Sequence, residues 1–520
     1  MPINFYKTYS FLILFLALLG VYVNYSPIPI ADSWSNYELV KDISEGHFSS
    51  FISLHNEHRI LPSKILFWLD IHLFGGSEVF LLITHILFIF ILFNLFSSLS
   101  FENNLNKKEQ TLFPLFILSM LFFWSQKANL TWAFQSQFYL VQIFSLLTFL
   151  SIKKEWNFVF VIILSIFSVL SMGNGLLIPI LVTFYYVINK NFFRALVFIF
   201  LTIVIFTLYF IGYQGNPSYM SPIESMMHHP LKVILFSFVF LGNVFSFLVG
   251  KGVFGAFLAG CMGFLSILFV LTKISKFYKN PIFYYLIFLI GTAVLVGLSR
   301  HQDGYIHAVS SRYTTPTICY WVTFAILFFS DIKKYFQTPS RVIRWIFIFV
   351  LISFFVNQLK VFREIDYKTL KRYIDLAVVV NNHGNILPHM NYDLMNNDHI
   401  KNKFLFSKKL TKQALIPTFS KTNNECDERI SKIKYTKGKN EQYSYVDLKL
   451  DRNTSSVLYV YDNEFPSGLI ATKSMFTKLP FFIKESDHAL GYIFGTELDN
   501  TIIMDYEKDC FIRLSKNIDE

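Results

Sequence analysis

Charge is scarce in this chain. Of its 520 residues only 16% are Asp, Glu, Lys or Arg, while 53% are hydrophobic, and the mean hydropathy is +0.44. A soluble domain is on average about 25% charged, so this shortage excludes an ordinary soluble fold and points to a polytopic α-helical membrane protein. Heptads, a P-loop, a dinucleotide fingerprint and internal repeats are missing too, which leaves no basis for a coiled coil, a nucleotide cradle or a solenoid. Cysteine is limited to four residues. Cys261 and Cys319 lie in apolar segments, whereas Cys426 and Cys510 lie in the tail, where they either pair, if the tail is extracytoplasmic, or stay as inert thiols.

What the chain does have is long apolar runs. Windows at 6–25, 77–98, 111–125, 133–152, 156–172, 174–189, 193–213, 231–250, 253–274, 281–299, 314–331 and 341–358 approach the roughly 20 residues that cross a bilayer. The first begins like a signal peptide, but no small-residue cleavage site follows, so it is expected to stay as a transmembrane helix. Lys and Arg fall mainly between these windows, at Lys107 with Lys108, Lys153 with Lys154, Lys190 with Arg194, and Lys273 with Lys276 and Lys279. That pattern is the positive-inside rule at work. It accounts for the net charge of +11 without any nucleic-acid partner. Three windows lie between the basic ends at Arg194 and Lys273, where two cytoplasmic ends require an even number of crossings. One of them, near Lys251, is therefore expected to be re-entrant or interfacial, giving about 11 crossings.

Between the first two windows, at 26–76, lies a polar loop that holds Asp32, Glu38, Asp42, Glu45, His47, His55, Glu57, His58 and Arg59 beside Trp34, Tyr37, Phe48, Phe51 and Trp68. A loop this long is uncommon unless functional or disordered, and the aromatic residues argue for a folded active-site loop at the membrane surface. Within it, HNEHR at 55–59 sets His55 and His58 one helical turn apart. Three readings stay open: a mononuclear metal site of Asp32, Glu57 and one histidine; a surface helix cap that meets lipid headgroups; and a phosphate grip in which His and Arg hold the anion while a carboxylate takes a proton.

LPSKILFWLDIHLFGGSEVFLL follows. Through Pro62, Lys64, Trp68, Leu69, Leu73, Phe74, Gly75, Ser77 and Glu78 it resembles the K-P-P-L-x-x-W-L … L-F-G-x-S-E signature of the GT-C membrane glycosyltransferases, which use polyprenyl-phosphate sugars. The protein mannosyltransferases and lipid A aminoarabinose transferases are of this kind. The paired prolines are absent, and Lys64 follows the proline instead of preceding it. SMGNGLLIPI at 171–180 and SRYTTP at 311–316 resemble two later stretches of that family, in the same order. The layout, with a long first outer loop and an outer C-terminal domain, is also similar to that of serotype-converting glucosyltransferases that decorate O-antigen. The resemblance implies a GT-C-like catalytic domain at 1–358 and a sugar donor on undecaprenyl phosphate. It also implies a catalytic acid just after the first helix, where Asp32 stands. The family's usual second acid is Ser33 here, which weighs against a two-carboxylate or metal-dependent mechanism.

Two more polar clusters flank apolar windows. Gln126, Asn129, Gln135, Gln137 and Gln142, beside Trp124 and Trp132, offer amides and aromatic faces for a sugar at the outer surface, or else an aromatic belt whose amides bridge helices. Arg300, His301, Asp303, His307 and Arg312 form a last cluster, where a guanidinium matches phosphate oxygens or anchors a helix end. After 358 the chain is polar, helical at first through YKTLKRYIDLAVVVNN, then broken into β-branched and aromatic runs that predict a small sandwich or barrel at 359–520, an extracytoplasmic α+β or β-rich domain.

The expected function is transfer of a sugar from an undecaprenyl-phosphate donor to an extracytoplasmic lipid-linked glycan or O-antigen unit, at the bacterial inner membrane with the active site and tail facing the periplasm. Asp32 is the expected base, with Glu57 as the alternative. His58, Arg59, Arg300 and Arg312 are expected to hold the donor phosphate. Trp34, His55, Gln135, Gln137 and Tyr313 are expected at the sugar or acceptor. No cofactor is required by this chemistry, and a divalent metal stays open. A transporter or flippase of lipid-linked saccharides, or a polymerase, is the alternative. A transporter would place ionisable residues at mid-membrane depth, and apart from Lys251 and His85 such residues are few.

Overall fold

The computed structural model describes residues 2–26, 28–102, 105–213, 215, 219–336, 341–362, 373–374, 376–377, 415–420, 422, 424–426, 430–437, 443–450, 457–462, 464–472, 488–494 and 501–513. They form two compact units. One comprises Met1–Val21, Ser49–Leu66 and Leu81–Lys360; the other comprises Tyr22–Phe48, Phe67–Phe80 and Val361–Glu520. This division does not follow a single cut at 358. The polar loop is shared, its middle grouped with the membrane helices and its two ends with the tail.

Eight helices among the described residues are long and apolar enough to cross a membrane: Ile3–Asn24, Val79–Phe101, Lys107–Thr131, Ala133–Lys153, Phe192–Tyr209, Val253–Phe277, Pro281–Asp303 and Trp345–Phe362. The protein is thus a polytopic helical membrane protein. The windows at 156–172, 174–189 and 231–250 yield shorter apolar helices, Phe158–Ser171, Gly173–Ile188 and Pro230–Leu241. At 1.5 Å per residue such helices fall short of a span of about 30 Å. In the window at 231–250 the helix stops at Leu241 and a 3-10 segment, Asn243–Leu248, takes over. Lys251 follows, and its ammonium donates to the Ser125 carbonyl at 3.3 Å.

Burial ranks the helices. Ala133–Lys153 is 89% buried, whereas Phe192–Tyr209 is 22% buried and exposes Phe193, Phe200 and Ile203, so the former is central and the latter has a lipid-facing surface. The central helix packs on Phe158–Ser171 and Pro281–Arg300, and Pro230–Leu241 packs on Val253–Phe277. That second pair approaches closely because Gly242 and Gly263 lie against the carbonyls of Ala259 and Phe238, where a Cβ would collide. Small polar pairs join helices across the interior: Ser10 with Ser119 at 2.9 Å, Ser145 with Ser168 at 2.7 Å, and Tyr285 with Gln142 at 3.0 Å.

In the second unit the ends of the polar loop are tied together. The Tyr25 hydroxyl donates to the Ser77 carbonyl at 3.0 Å and the Tyr37 hydroxyl to the Gly76 carbonyl at 3.2 Å. Gly75 and Gly76 take φ of 74° and 69°, with Glu78 at 61°, a left-handed run that ends the helix Leu61–Phe74. Asp70 accepts the Glu78 amide at 3.2 Å, and burial pushes its carboxyl up to about 6. The G-x-S-E part of the motif is therefore a helix stop.

The tail carries seven strands, β1 (Ile430–Lys437), β2 (Tyr443–Leu450), β3 (Val457–Asp462), β4 (Phe465–Thr472), β5 (His488–Phe494), β6 (Thr501–Asp505) and β7 (Cys510–Arg513), in one antiparallel sheet of order β1-β2-β5-β4-β3-β6-β7. Among the described residues this sheet is open and single, in place of the expected sandwich or barrel. Strand β1 went unread in the sequence because ISKIKYTK alternates with lysines. Leu458, Val460, Ile470, Ile493 and Ile503 form the core. A disulfide joins Cys426 to Cys510, and the Cys426 amide donates to the Phe511 carbonyl at 2.9 Å. Most of the helix expected near 367–382 lies outside the described residues, as does the run at 479–486.

Candidate functional site

The middle of the polar loop begins with a buried lysine. Lys64 donates to the carbonyls of Ser50 and Ser53 at 2.7 and 2.8 Å and to the Ser53 hydroxyl at 2.7 Å. An ammonium out of water needs such acceptors, and here they hold the turn that precedes HNEHR. Next, His55 and His58 pair through both backbone hydrogen bonds, 2.8 and 3.0 Å, with Asn56 at φ 51°. This is a tight turn in which Asn56 supplies the left-handed residue. The helical spacing that suggested a metal pair is therefore absent. The His55 ring lies on Phe134 at 4.8 Å.

Arg59 is engaged by main chain. Its guanidinium donates to the carbonyls of Tyr209 at 3.0 Å, Ile211 at 2.6 Å and Ile52, where a cation complements the end of the helix Phe192–Tyr209. The Tyr209 hydroxyl donates to the Glu57 carbonyl at 3.2 Å. His58 is buried against Gly173, where a Cβ would stand 2.8 Å from Nδ1. Burial pushes the His58 pKa down, Glu57 opposes the shift and Arg300 adds to it.

Past this turn the loop meets the end of the helix Pro281–Arg300. Glu57 and Arg300 form an ion pair at 3.5 Å, and the Arg300 guanidinium lies 4.1 Å above the Tyr219 ring. Asp303 has a carboxylate oxygen 3.5 Å from the Tyr219 hydroxyl and 3.8 Å from His307 Nε2. His307 Nε2 also faces the Arg312 guanidinium at 3.0 Å, and Arg312 covers the Tyr313 ring at 5.1 Å. Arginine is always a donor, so Nε2 accepts and the imidazole proton is assigned to Nδ1. The backbone beneath is fixed by Asn129, which donates to the Arg312 carbonyl at 2.8 Å and to Thr315 at 2.6 Å, and by Asn243, which donates to the carbonyls of Ala308 and Ser310.

Three distant segments therefore converge, bringing Glu57 and Tyr219 to Arg300, Asp303, His307, Arg312 and Tyr313. Among the described residues neither Arg300 nor Arg312 is held by a bidentate carboxylate, which suits both to an anion. Asp32 and Trp34 belong to the other unit. Asp32 sits half-buried in a 3-10 turn, Ala31–Trp34, and Trp34 is buried beside Tyr37. Gln135 and Gln137 are buried in the bundle and not at a surface, with amide oxygens that meet no protein donor among the described residues. One group of metal-competent side chains is close together, Asp42, Glu45 and His47, at the exposed end of the helix Ser35–Ser44. Tyr209 and Tyr219 were missed in the sequence, where each reads as an interfacial aromatic.

The cluster has a pH signature. Burial, then Arg312, hold the His307 pKa below its usual 6.5, and Asp303 opposes them. The neutral form is favoured on folding, so its contribution is complete above 6.5 and is lost as pH falls through the lowered value. As pH falls below 6.5, hydrogen exchange across 301–313, taken relative to the intrinsic amide rate, is expected to lose protection. In His307→Gln, whose amide oxygen still accepts from Arg312, most of that dependence disappears and a remainder from His58 stays. An unchanged profile in the variant excludes His307 as its source.

Compared with protein-family models, with curated proteins and with solved structures, the chain matches none.

Proposed function

We propose that the chain is a membrane glycosyltransferase with a GT-C-like architecture of about 11 crossings, which moves one sugar from an undecaprenyl-phosphate donor to an extracytoplasmic glycan acceptor. The observation that carries this reading is the convergence of two arginines, two carboxylates and a histidine beyond the end of the helix Pro281–Arg300. A headgroup phosphate at the membrane boundary needs such a cluster, while the lipid tail stays among apolar helices. The resemblance to the GT-C enzymes implies Asp32 as the base that takes the proton of the acceptor hydroxyl, with Glu57, which stands in this cluster, as the alternative. The hydroxyl oxygen attacks the anomeric carbon, the bond from that carbon to the phosphate oxygen breaks, and the anomeric configuration inverts. The phosphate leaves with its electron pair and needs no proton, so its charge must be stabilised where water is scarce. Arg300 and Arg312 are the groups placed in that role.

The Cys426–Cys510 disulfide supports a tail in an oxidising compartment, which for a bacterial inner-membrane protein is the periplasm. A transporter of lipid-linked saccharides is a second reading, favoured by His85, which is fully buried within the helix Val79–Phe101 beside Tyr139.

The test is sugar transfer by the purified protein from a panel of undecaprenyl-phosphate sugars, with and without EDTA. Wild type is expected to transfer, and Asp32→Asn to lose transfer while still folding and binding donor. Insensitivity to EDTA removes a metal from the reaction. If no donor is turned over and labelled lipid-linked glycan crosses proteoliposomes, the transporter reading replaces the enzyme.

A further inference from the structure

Glu57 stands on a backbone that cannot easily move. The turn is closed by the His55–His58 pair, the Glu57 carbonyl is taken by Tyr209, and Arg59 is fastened to three carbonyls. The side chain is different. It reaches Arg300 through one oxygen at 3.5 Å, whereas a charge-assisted hydrogen bond between guanidinium and carboxylate is about 2.7–2.9 Å long. Both side chains keep about a fifth of their surface in solvent, 21% for Glu57 and 22% for Arg300. The guanidinium plane is set by Tyr219 beneath it, not by the carboxylate. Arg312 shows a related pattern, since its guanidinium meets the His307 imidazole at 3.0 Å and not a carboxylate among the described residues. The pair thus has the features of an occupied anion position whose occupant is weakly held.

We propose that the Glu57 carboxylate is a stand-in anion on Arg300, displaced when a phosphate ester binds between Arg300 and Arg312. The inference rests on the reading of this cluster as a phosphate site and adds that binding requires an exchange of counter-ions. In the resting state Glu57 neutralises Arg300. A phosphate, which offers more oxygens and more charge, satisfies Arg300 and Arg312 together, and the released carboxylate turns away from it by like-charge repulsion. A competitor built into the site weakens the ligand by the strength of the internal pair. For a partly solvated ion pair that amounts to roughly two- to fivefold in affinity.

The experiment measures binding of undecaprenyl monophosphate to the full chain in phosphatidylcholine nanodiscs, and of inorganic phosphate in parallel, for wild type, Glu57→Gln, Asp303→Asn and Arg300→Ala. Glu57→Gln is expected to tighten the lipid phosphate by about two- to fivefold, Asp303→Asn to change it by less than half as much, and Arg300→Ala to abolish the gain when combined with Glu57→Gln. Tightening of the lipid phosphate alone assigns the site to a headgroup; tightening of both probes assigns it to phosphate in general. Equal gains from Glu57→Gln and Asp303→Asn would make the effect one of net charge and overturn the stand-in role. Wild-type binding that Glu57→Gln leaves unchanged or weakens, in a variant whose thermal unfolding matches wild type, also overturns it. If neither probe binds wild type or Glu57→Gln, the phosphate site falls with it. Failure of sugar transfer with the binding pattern intact removes the transferase reading and leaves the exchange standing.

Discussion

On the transferase reading proposed above, Arg300→Ala is expected to lower sugar transfer by about a hundred- to a thousandfold, the range seen when one donor to a developing oxyanion is removed. The reason is geometric. Arg300 is carried on the last turn of the helix Pro281–Arg300 and stacked 4.1 Å over Tyr219, so its donors are oriented before the substrate arrives. Arg312 alone leaves part of the leaving phosphate unmatched. Arg300→Lys is expected to recover little, because an ammonium is a point charge without the planar fork. Initial rates against donor concentration separate the outcomes. A loss confined to KM means that Arg300 only binds the donor, a loss in kcat means that it stabilises the departing phosphate, and retention within about threefold removes it from the mechanism.

Cys426→Ser is expected to loosen the tail far more than any surface substitution. The bridge closes a segment with a sequence separation of 84, and cross-linking a loop of that length removes roughly 4–5 kcal/mol of unfolded-chain entropy. Its effect should be local to the sheet. Cys426 pins the stretch at 424–426 beside β7 through the Cys426 amide and the Asn424 carbonyl, and β7 is an edge strand with β6 as its sole neighbour in the sheet. Limited proteolysis of the whole protein in detergent, with and without reductant, checks this. Tail fragments should appear in the variant and in reduced wild type while the helical part stays intact. Equal tail resistance in oxidised, reduced and substituted protein would mean that the bridge does not hold the sheet.

How much of this was legible depends on range. The apolar runs were readable because hydropathy is a local property, but the break inside the window at 231–250, after Leu241, was not. The tail strands were readable from β-branched and aromatic runs, except β1, which is rich in lysine, and β7, which has only four residues. The candidate site was readable as a list of residues but not as a set of contacts. Arg59 and Arg300 looked equivalent in the sequence, each an arginine expected to hold the donor phosphate. The fold distinguishes them, because Arg59 meets the carbonyls of Tyr209 and Ile211 and Arg300 meets a carboxylate and an aromatic face. Similarly, His55 and His58 sit at a spacing that suits a helix, yet Asn56 in the left-handed region makes a turn of it.

The sequence by itself determined that this is a polytopic helical membrane protein with a β-rich tail, and which side chains carry charge beside the apolar runs. Those follow from composition and short-range pattern, which the solvent reads one segment at a time. Tertiary structure alone decided that Glu57 meets Arg300, that His307 accepts from Arg312, that Gln135 and Gln137 turn inward, and that the polar loop is divided between two units. Each of these depends on segments far apart in the chain packing to one geometry, and helix packing is set by side-chain shape along whole interfaces, a quantity that no local window of sequence contains.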